Sequence, residues 1–170
     1  DPPEPYRTQF APDVDPMLGF VRFDPVEGEA IDSNTFVRDV LPTMQQADWD
    51  ELVALYDGEI AYLDEHIGRL LEDLREQGAL DNTIVVVTSD HGELFGEHDL
   101  AYHFKALSEE ETHVPLIIRY PAGMPPGARV PGAVELNDIL PTVLELASIE
   151  TQAPMDGSSL VAAALSGNAD

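Results

Sequence analysis

The sequence predicts an α/β fold, a mainly parallel sheet flanked by helices. Three observations carry that reading: a long amphipathic helical pattern over about residues 48–77, two short β-branched runs, "TIVVVTS" (83–89) and "HVPLIIRYP" (113–121), and a second helical pattern in "ELNDILPTVLELAS" (135–148). Apolar runs without period-two alternation fit strands covered on both faces, and helices alternating with such strands imply layers around a parallel sheet.

The chain opens with Pro2, Pro3, Pro5, Pro12, Pro16 and Pro25 and little periodicity. Residues 1–47 therefore read as an irregular segment of the same domain as 48–170, wrapped on another element and too long for an ordinary loop. Such a Pro-rich opening leads us to expect the middle of a longer protein rather than a natural start.

The first helix follows. Asp48 and Glu51 have the spacing of a capping box, in which each side chain satisfies a free N–H at the helix start. Leu52, Leu55, Ile60, Leu63, Ile67, Leu70, Leu71 and Leu74 then recur at three- and four-residue steps, and Gly78 supplies the stop. After the two strand-like runs comes a Pro/Gly loop, "AGMPPGARVPG". In the second helix Pro141 lies near the first turn, where its missing N–H does little harm. "DGSSLVAAALSG" closes with a turn and a short helical stretch, and no internal repeat is visible.

Composition sets the limits. A chain of 170 residues has room for one sizeable core, burying roughly two thirds of the surface its unfolded form exposes. Eight basic against 33 acidic residues give a net charge of −25, which repels nucleic acid and anionic membranes. Lys105 is the only lysine, so the remaining basic side chains are Arg. An Asp/Glu-rich, Lys-poor balance suits a halophile, although a GC-rich genome favours Arg as well. With no cysteine there is no disulfide, thiolate metal site or Cys nucleophile. The chain contains no membrane-length apolar stretch and no signal-peptide pattern, so the expectation is a soluble chain of open compartment.

"TSDHGELFGEH" (88–98) follows the first β-branched run directly. Ligands of open α/β sheets bind beyond the carboxyl ends of the strands, where Asp90 and His91 fall. A carboxylate and a neutral imidazole can both reach one cation, and Gly92 and Gly96 let the backbone turn sharply around them. Two protein donors do not close a metal site. On periodicity alone, Asp90 reads equally as a helix cap and Gly92 as a turn residue.

"VVVTSDHGELFGEH", preceded by "YDGEIAYLDEHIGRLLEDLREQGALDNT" and followed by "HVPLIIRYP", "NDILPTVLELA" and "DGSSL", resembles the C-terminal portion of the catalytic domain of the sulfatase family, within the alkaline-phosphatase-like superfamily. The match runs in family order from Tyr56 to Ser166, and "DPPEPY" resembles the segment after the family's mid-chain "PHxPY".

The resemblance implies an alkaline-phosphatase-like fold, incomplete here, and metal-dependent hydrolysis of sulfate esters, with a small molecule or sugar as substrate. The family's nucleophile is a formylglycine made from Cys or Ser in Cys/Ser-x-Pro-x-Arg, held with the sulfate oxygens by a divalent cation. By this resemblance Asp90 and His91 are metal ligands. Calcium is the usual ion; His at the second position also resembles phosphonate monoester and phosphodiester hydrolases, whose manganese or zinc suits imidazole better. The family's basic residue, about five positions after Gly-Glu-His, falls on His103, with Lys105 as the alternative. Either would contact the anion, and His103 would also serve as general acid because imidazole changes charge near pH 7.

The remaining polar residues read more simply. His98 is expected to order the loop through hydrogen bonds. Glu93 and Glu97 are candidates for fixing a histidine tautomer, or plain exposed acids of an acidic chain. His66 is expected to be packed or at the surface of the long helix, His113 to be structural at a strand start, and "EEE" (109–111) to be a solvated charge run.

None of Ser33, Ser89, Ser108, Ser148, Ser158, Ser159 and Ser166 is followed by x-Pro-x-Arg. The family's paired N-terminal aspartates are also missing. The expectation is therefore a chain that supplies part of the metal and anion site, lacks the nucleophile, depends on a missing N-terminal part, and is inactive alone. Two alternatives stand beside a sulfatase: a phosphodiester or phosphonate ester hydrolase or phosphoglycerol-type transferase on the same scaffold, and an inactive truncated domain.

Overall fold

The computed structural model describes residues 2–13, 39–103 and 107–166. Most of the Pro-rich segment and Lys105 lie outside the described residues. In chain order the helices are α1 (Tyr6–Phe10), α2 (Gln46–Glu76), α3 (Glu109–Thr112), α4 (Ile139–Leu146) and α5 (Val161–Ser166). The strands are β1 (Val85–Thr88), β2 (Leu94–Phe95), β3 (Ala101–Tyr102) and β4 (Leu116–Arg119). They gather into two compact units, Asp1–Leu71 with His91–His113, and Glu72–Asp90 with Val114–Asp170.

The first unit is built on α2. Its cap lies three residues earlier than the sequence suggests, at Gln45, because Asp48 is the third helical residue and not the cap. The Asp48 carboxylate reaches back 2.6 Å to accept the Gln45 N–H, so it occupies the place that Glu51 was expected to take. The opening segment does find a surface to wrap on. Pro2 packs against Gly58 so closely that a Cβ there would come within 2.8 Å of the proline ring, and Tyr6 meets Tyr62 edge to face at 5.5 Å. The apolar stripe of α2 is buried only in part: Leu55 is buried, whereas Ile60, Leu63 and Leu70 are at least half exposed.

Above the first turns of α2 sits the β2–β3 hairpin, in which Leu94 pairs with Tyr102 and Phe95 with Ala101. Leu94 and Ala101 form its core at 1% and 3% exposure. Gly96, at φ 102°, makes the turn beside Trp49; a Cβ there would fall 2.8 Å from the indole. Phe95 meets Tyr56 edge to face at 5.2 Å.

In the second unit α2 ends as its Gly78 signal predicts. Gly78 at φ 69° donates to the Arg75 carbonyl and Ala79 to the Leu74 carbonyl, the paired bonds of a Schellman cap. A short 3-10 turn, Leu80–Asn82, leads into β1. Arg119 pins that entry by donating to the Leu80 carbonyl and to Asp81, both at 2.9 Å.

β1 pairs with β4 from Val85↔Arg119 to Thr88↔Leu116, antiparallel. Both ladders among the described residues are thus antiparallel, where the sequence led us to expect a mainly parallel sheet. The α/β class holds, with helices and sheets both present. A parallel β1–β4 pair needs a substantial crossover, commonly a full helix. Among the described residues, the chain between these strands holds the hairpin with its 3-10 turn and four-residue α3, and no helix of crossover length.

α4 is preceded by a 3-10 turn, Leu136–Asp138, closed by a capping box between Glu135 and Asp138. Asp138 also accepts the Ser158 N–H at 2.7 Å. Its carboxyl is held below the usual aspartate range first by the Glu135 N–H and then by that of Ser158. Thr142, fully buried, donates to the Asp138 carbonyl and accepts the Leu160 N–H, tying α4 to the segment before α5.

Candidate active site

Of the residues singled out in the sequence, His91 and His103 stand at the two ends of the hairpin. Asp90, exposed, is the last residue of its stretch of the second unit, and His91 opens the inserted stretch of the first. His91 Nδ1 lies 2.8 Å from the Gly92 carbonyl oxygen. A carbonyl only accepts, so the proton sits on Nδ1 and the ring lone pair on Nε2, the tautomer expected of a metal-binding histidine.

The hairpin register brings the next pair together. One step beyond Leu94↔Tyr102 stand Glu93 and His103, which makes them cross-strand neighbours. His103 Nδ1 lies 3.1 Å from Glu93 Oε2. The His91 and His103 rings face each other with centroids 4.2 Å apart and planes 33° apart. The structure therefore assembles two of the candidates, His91 and His103, with Glu93 as the partner of the second. Glu93 Oε1 is buried without a hydrogen-bond partner.

Gly92 fixes where this cluster starts. Its N–H donates to the Glu111 carbonyl at 2.8 Å. A Cβ on residue 92 would sit 1.9 Å from the Glu110 carbonyl oxygen, so only glycine lets α3 approach. The expectation of a solvated acidic run holds at Glu109 and Glu110, both exposed, and fails at Glu111, which is only 6% exposed. α3 is laid against the hairpin backbone, and its last glutamate is carried inward by that contact.

Tyr102 adds a neutral hydroxyl beside this acid. Burial first, and the negative charge of Glu93 second, push its phenol up to about 12. It is therefore a hydrogen-bond donor and not a phenolate at neutral pH. Backbone strain gathers in the same hairpin, with His98, Asp99 and Tyr102 at φ 58°, 57° and 66°.

The other histidines hold ordinary places. His98 Nε2 lies 3.4 Å from Glu110, tying the hairpin tip to α3 as a loop-ordering residue. The Glu110 carboxyl is held below its usual value by its own backbone N–H before any other cause, His98 included. His66 packs edge to face on Tyr62 at 4.4 Å. His113, expected at a strand start, instead follows α3 and pairs with Glu109 at 3.3 Å on an exposed surface.

Glu93 and Glu97 look alike in the sequence and are not alike. Glu97 accepts the Phe95 N–H at 2.6 Å and so shapes the turn, whereas Glu93 partners a candidate histidine. The distinguishing signal is register: with the turn centred on His98, residue 93 must face residue 103.

Among the described residues no group of three or more His, Asp or Glu side chains is arranged to hold a metal ion. The His91 tautomer and the oxygen donor next to it in the chain suit a divalent cation. Such an ion takes more donors than one carboxylate and one imidazole supply.

The alkaline-phosphatase-like superfamily is the class into which this fold and motif fit. The family model Sulfatase matches residues 3–149, and the chain belongs to the sulfatase family of sulfuric ester hydrolases. It is 42% identical over 106 residues to an N-acetylglucosamine-6-O-sulfatase of Bacteroides thetaiotaomicron, covering 62% of this chain and 19% of that relative. The chain spans about a fifth of the length of the curated relatives it matches. Among solved structures, BT4656 in complex with its substrate D-glucosamine-2-N,6-O-disulfate superposes with a TM-score of 0.62 at 37% identity, over 71% of this chain and 24% of that one. A phosphonate monoester hydrolase from Silicibacter pomeroyi gives the same TM-score at 36% identity and the same coverage of both chains.

Proposed function

We propose that this chain supplies part of the metal and anion site of a metal-dependent sulfate ester hydrolase, with a sulfated sugar as the substrate class. The observation that carries the reading is the His91–His103 pair, two imidazoles 4.2 Å apart at the mouth of the hairpin. The relatives support the substrate class, since one is named for a 6-O-sulfated amino sugar and another was solved with a glucosamine disulfate.

In this reading Asp90 and His91 are the metal donors, an assignment that rests on their adjacency in the chain and on the His91 tautomer. The cation, calcium first and manganese or zinc as alternatives, would neutralise charge on the sulfate oxygens. His103 contacts the anion and protonates the leaving-group oxygen, a role worth roughly 10²–10⁴-fold in rate. Lys105 is the second candidate for the anion contact. The nucleophile, a formylglycine by family habit, lies outside these residues, because no Cys or Ser here stands in x-Pro-x-Arg context.

A phosphonate monoester or phosphodiester hydrolase is the second reading. The Silicibacter pomeroyi likeness favours it, as does the imidazole at position 91, a better ligand for manganese or zinc than for calcium.

The test assays the product of the whole gene on 4-nitrophenyl sulfate and, in parallel, on a phenylphosphonate monoester, before and after EDTA dialysis. Sulfate ester turnover that EDTA removes and a divalent ion restores is the expected result, with Asp90→Asn and His91→Ala each losing at least about 100-fold in kcat/KM. Faster turnover of the phosphonate selects the second reading. EDTA-resistant turnover, or wild-type kcat/KM in both variants, refutes both.

A further inference from the structure

We propose that Glu93 is a positioning residue for His103: its carboxylate holds the ring in the Nδ1–H tautomer, so that Nε2 is the nitrogen turned to the ester oxygen. The inference deepens the function proposed above and rests on it for the role of His103, though not for the state of the ring.

Two restraints act on His103 in different directions. The Nδ1–H···Oε2 hydrogen bond, 3.1 Å long, fixes the ring within its plane. The His91 ring against its face, 4.2 Å away, resists tilting out of that plane. A flip of the imidazole exchanges Nδ1 with Cδ2, so it breaks the first restraint and leaves the carboxylate facing a C–H where it had a donor. Three His–Glu pairs can be compared, and their surroundings separate them. His113 and Glu109 are 78% and 82% exposed, and His98 and Glu110 are 57% and 35% exposed. His103 and Glu93 are 32% and 22% exposed. An exposed pair exchanges freely with water and fixes little. The Glu93 pair is partly shielded, and its second oxygen is buried without a partner, so it has one donor to hold and cannot readily trade it.

The chemistry needs this arrangement. When the nucleophile's oxygen forms its bond to sulfur, the bond from sulfur to the leaving-group oxygen breaks, and that oxygen takes the proton from His103 Nε2. What remains is a neutral ring protonated on Nδ1, which is the tautomer Glu93 holds. Neutral free imidazole prefers the opposite tautomer, so without Glu93 the ring would have to rearrange in each cycle.

The experiment is long-range proton–nitrogen NMR of the nitrogen-15-labelled 170-residue chain at mildly alkaline pH, where unperturbed imidazoles are neutral. The expected spectrum has His103 Nδ1 protonated and Nε2 bare. Glu93→Leu shifts it toward the Nε2–H form, and Glu93→Gln, whose amide oxygen still accepts, keeps the Nδ1–H form. An Nε2–H tautomer in the wild-type chain overturns the proposal even if Glu93→Leu does not fold, as do unchanged ring nitrogens in a folded Glu93→Leu. In the whole-gene product, Glu93→Leu is expected to lower kcat at least about tenfold with KM little changed, and Glu93→Gln to recover most of that loss. A loss confined to KM, or none, overturns the positioning role. A product that hydrolyses neither ester overturns the reaction proposed above, whereas the NMR result still decides the state of the ring.

Discussion

Gly92→Ala is the sharpest test of how α3 is laid against the hairpin. The added Cβ would stand 1.9 Å from the Glu110 carbonyl oxygen, 3.0 Å from the carbon of that carbonyl and 3.3 Å from the Glu111 Cα. All three are backbone atoms, so no side chain can rotate away. Relief requires α3 to retreat by more than 1 Å, about the shortfall from an ordinary contact distance. That movement breaks the 2.8 Å bond from the Gly92 N–H to the Glu111 carbonyl. Overpacking costs about 1–3 kcal/mol, and a half-buried amide left without its partner up to about 1–3 kcal/mol more. The sum is roughly 2–6 kcal/mol, a large part of a typical domain's 5–15 kcal/mol. In urea, with a slope of about 1–3 kcal/mol/M, the midpoint should fall by about 1–3 M. Gly68→Ala is the matched control. Gly68 lies within α2, where an added Cβ would meet nothing within 4 Å, so the same chemical change there should stabilise by about 0.5–1 kcal/mol. The assay is urea unfolding of the three proteins followed by far-ultraviolet circular dichroism. A Gly92→Ala midpoint within about 0.3 M of wild type would refute the close approach of α3.

Three further outcomes are expected. Ser148 ends α4 at φ 56°, with Ser148 and Ile149 donating to the Glu145 and Leu144 carbonyls; Ser148→Gly removes a left-handed strain of about 1 kcal/mol and should raise the melting temperature by a few degrees. Tyr102 should ionise last among the tyrosines, at about pH 12, read as the ultraviolet phenolate difference between wild type and Tyr102→Phe. Because its folded value lies above the unfolded 10.0, the stabilisation it gives is full below pH 10 and is lost as pH rises toward 12. A net charge of −25 makes the folded chain repel itself, so its melting temperature should climb as sodium chloride is raised from about 0.01 M, where charges interact over about 30 Å, to about 1 M, where they interact over about 3 Å; a flat profile would contradict that repulsion.

Helices are the legible part of the fold because their signals are local. The three- and four-residue spacing along α2 and the glycine after it specify a helix and its stop whatever surrounds them, and the Gly78 cap forms as read. The helix cap is displaced by three residues because either end of a capping box can be an acid: Asp48 is equally suited to give the first bond or to return the last. Strand direction has no local signal at all. "TIVVVTS" and "HVPLIIRYP" declare apolar strands, but nothing within either run says that β1 and β4 pair antiparallel.

The site divides along the same line. Asp90 and His91 are legible as neighbours in a motif, and His103 by counting along it. What separates Glu93 from Glu97 is a hairpin register set by Gly96 and by two residues, His98 and Asp99, held at positive φ, which non-glycine residues seldom adopt. That unfavourable turn decides which glutamate faces a histidine. Shifting the turn by one residue would move Glu93 out of register with His103 and carry Leu94 from the core to the outer face. The burial of Leu94 thus resists a slip of the turn, and the apolar core of the hairpin and the polar pair at its mouth are held by one register.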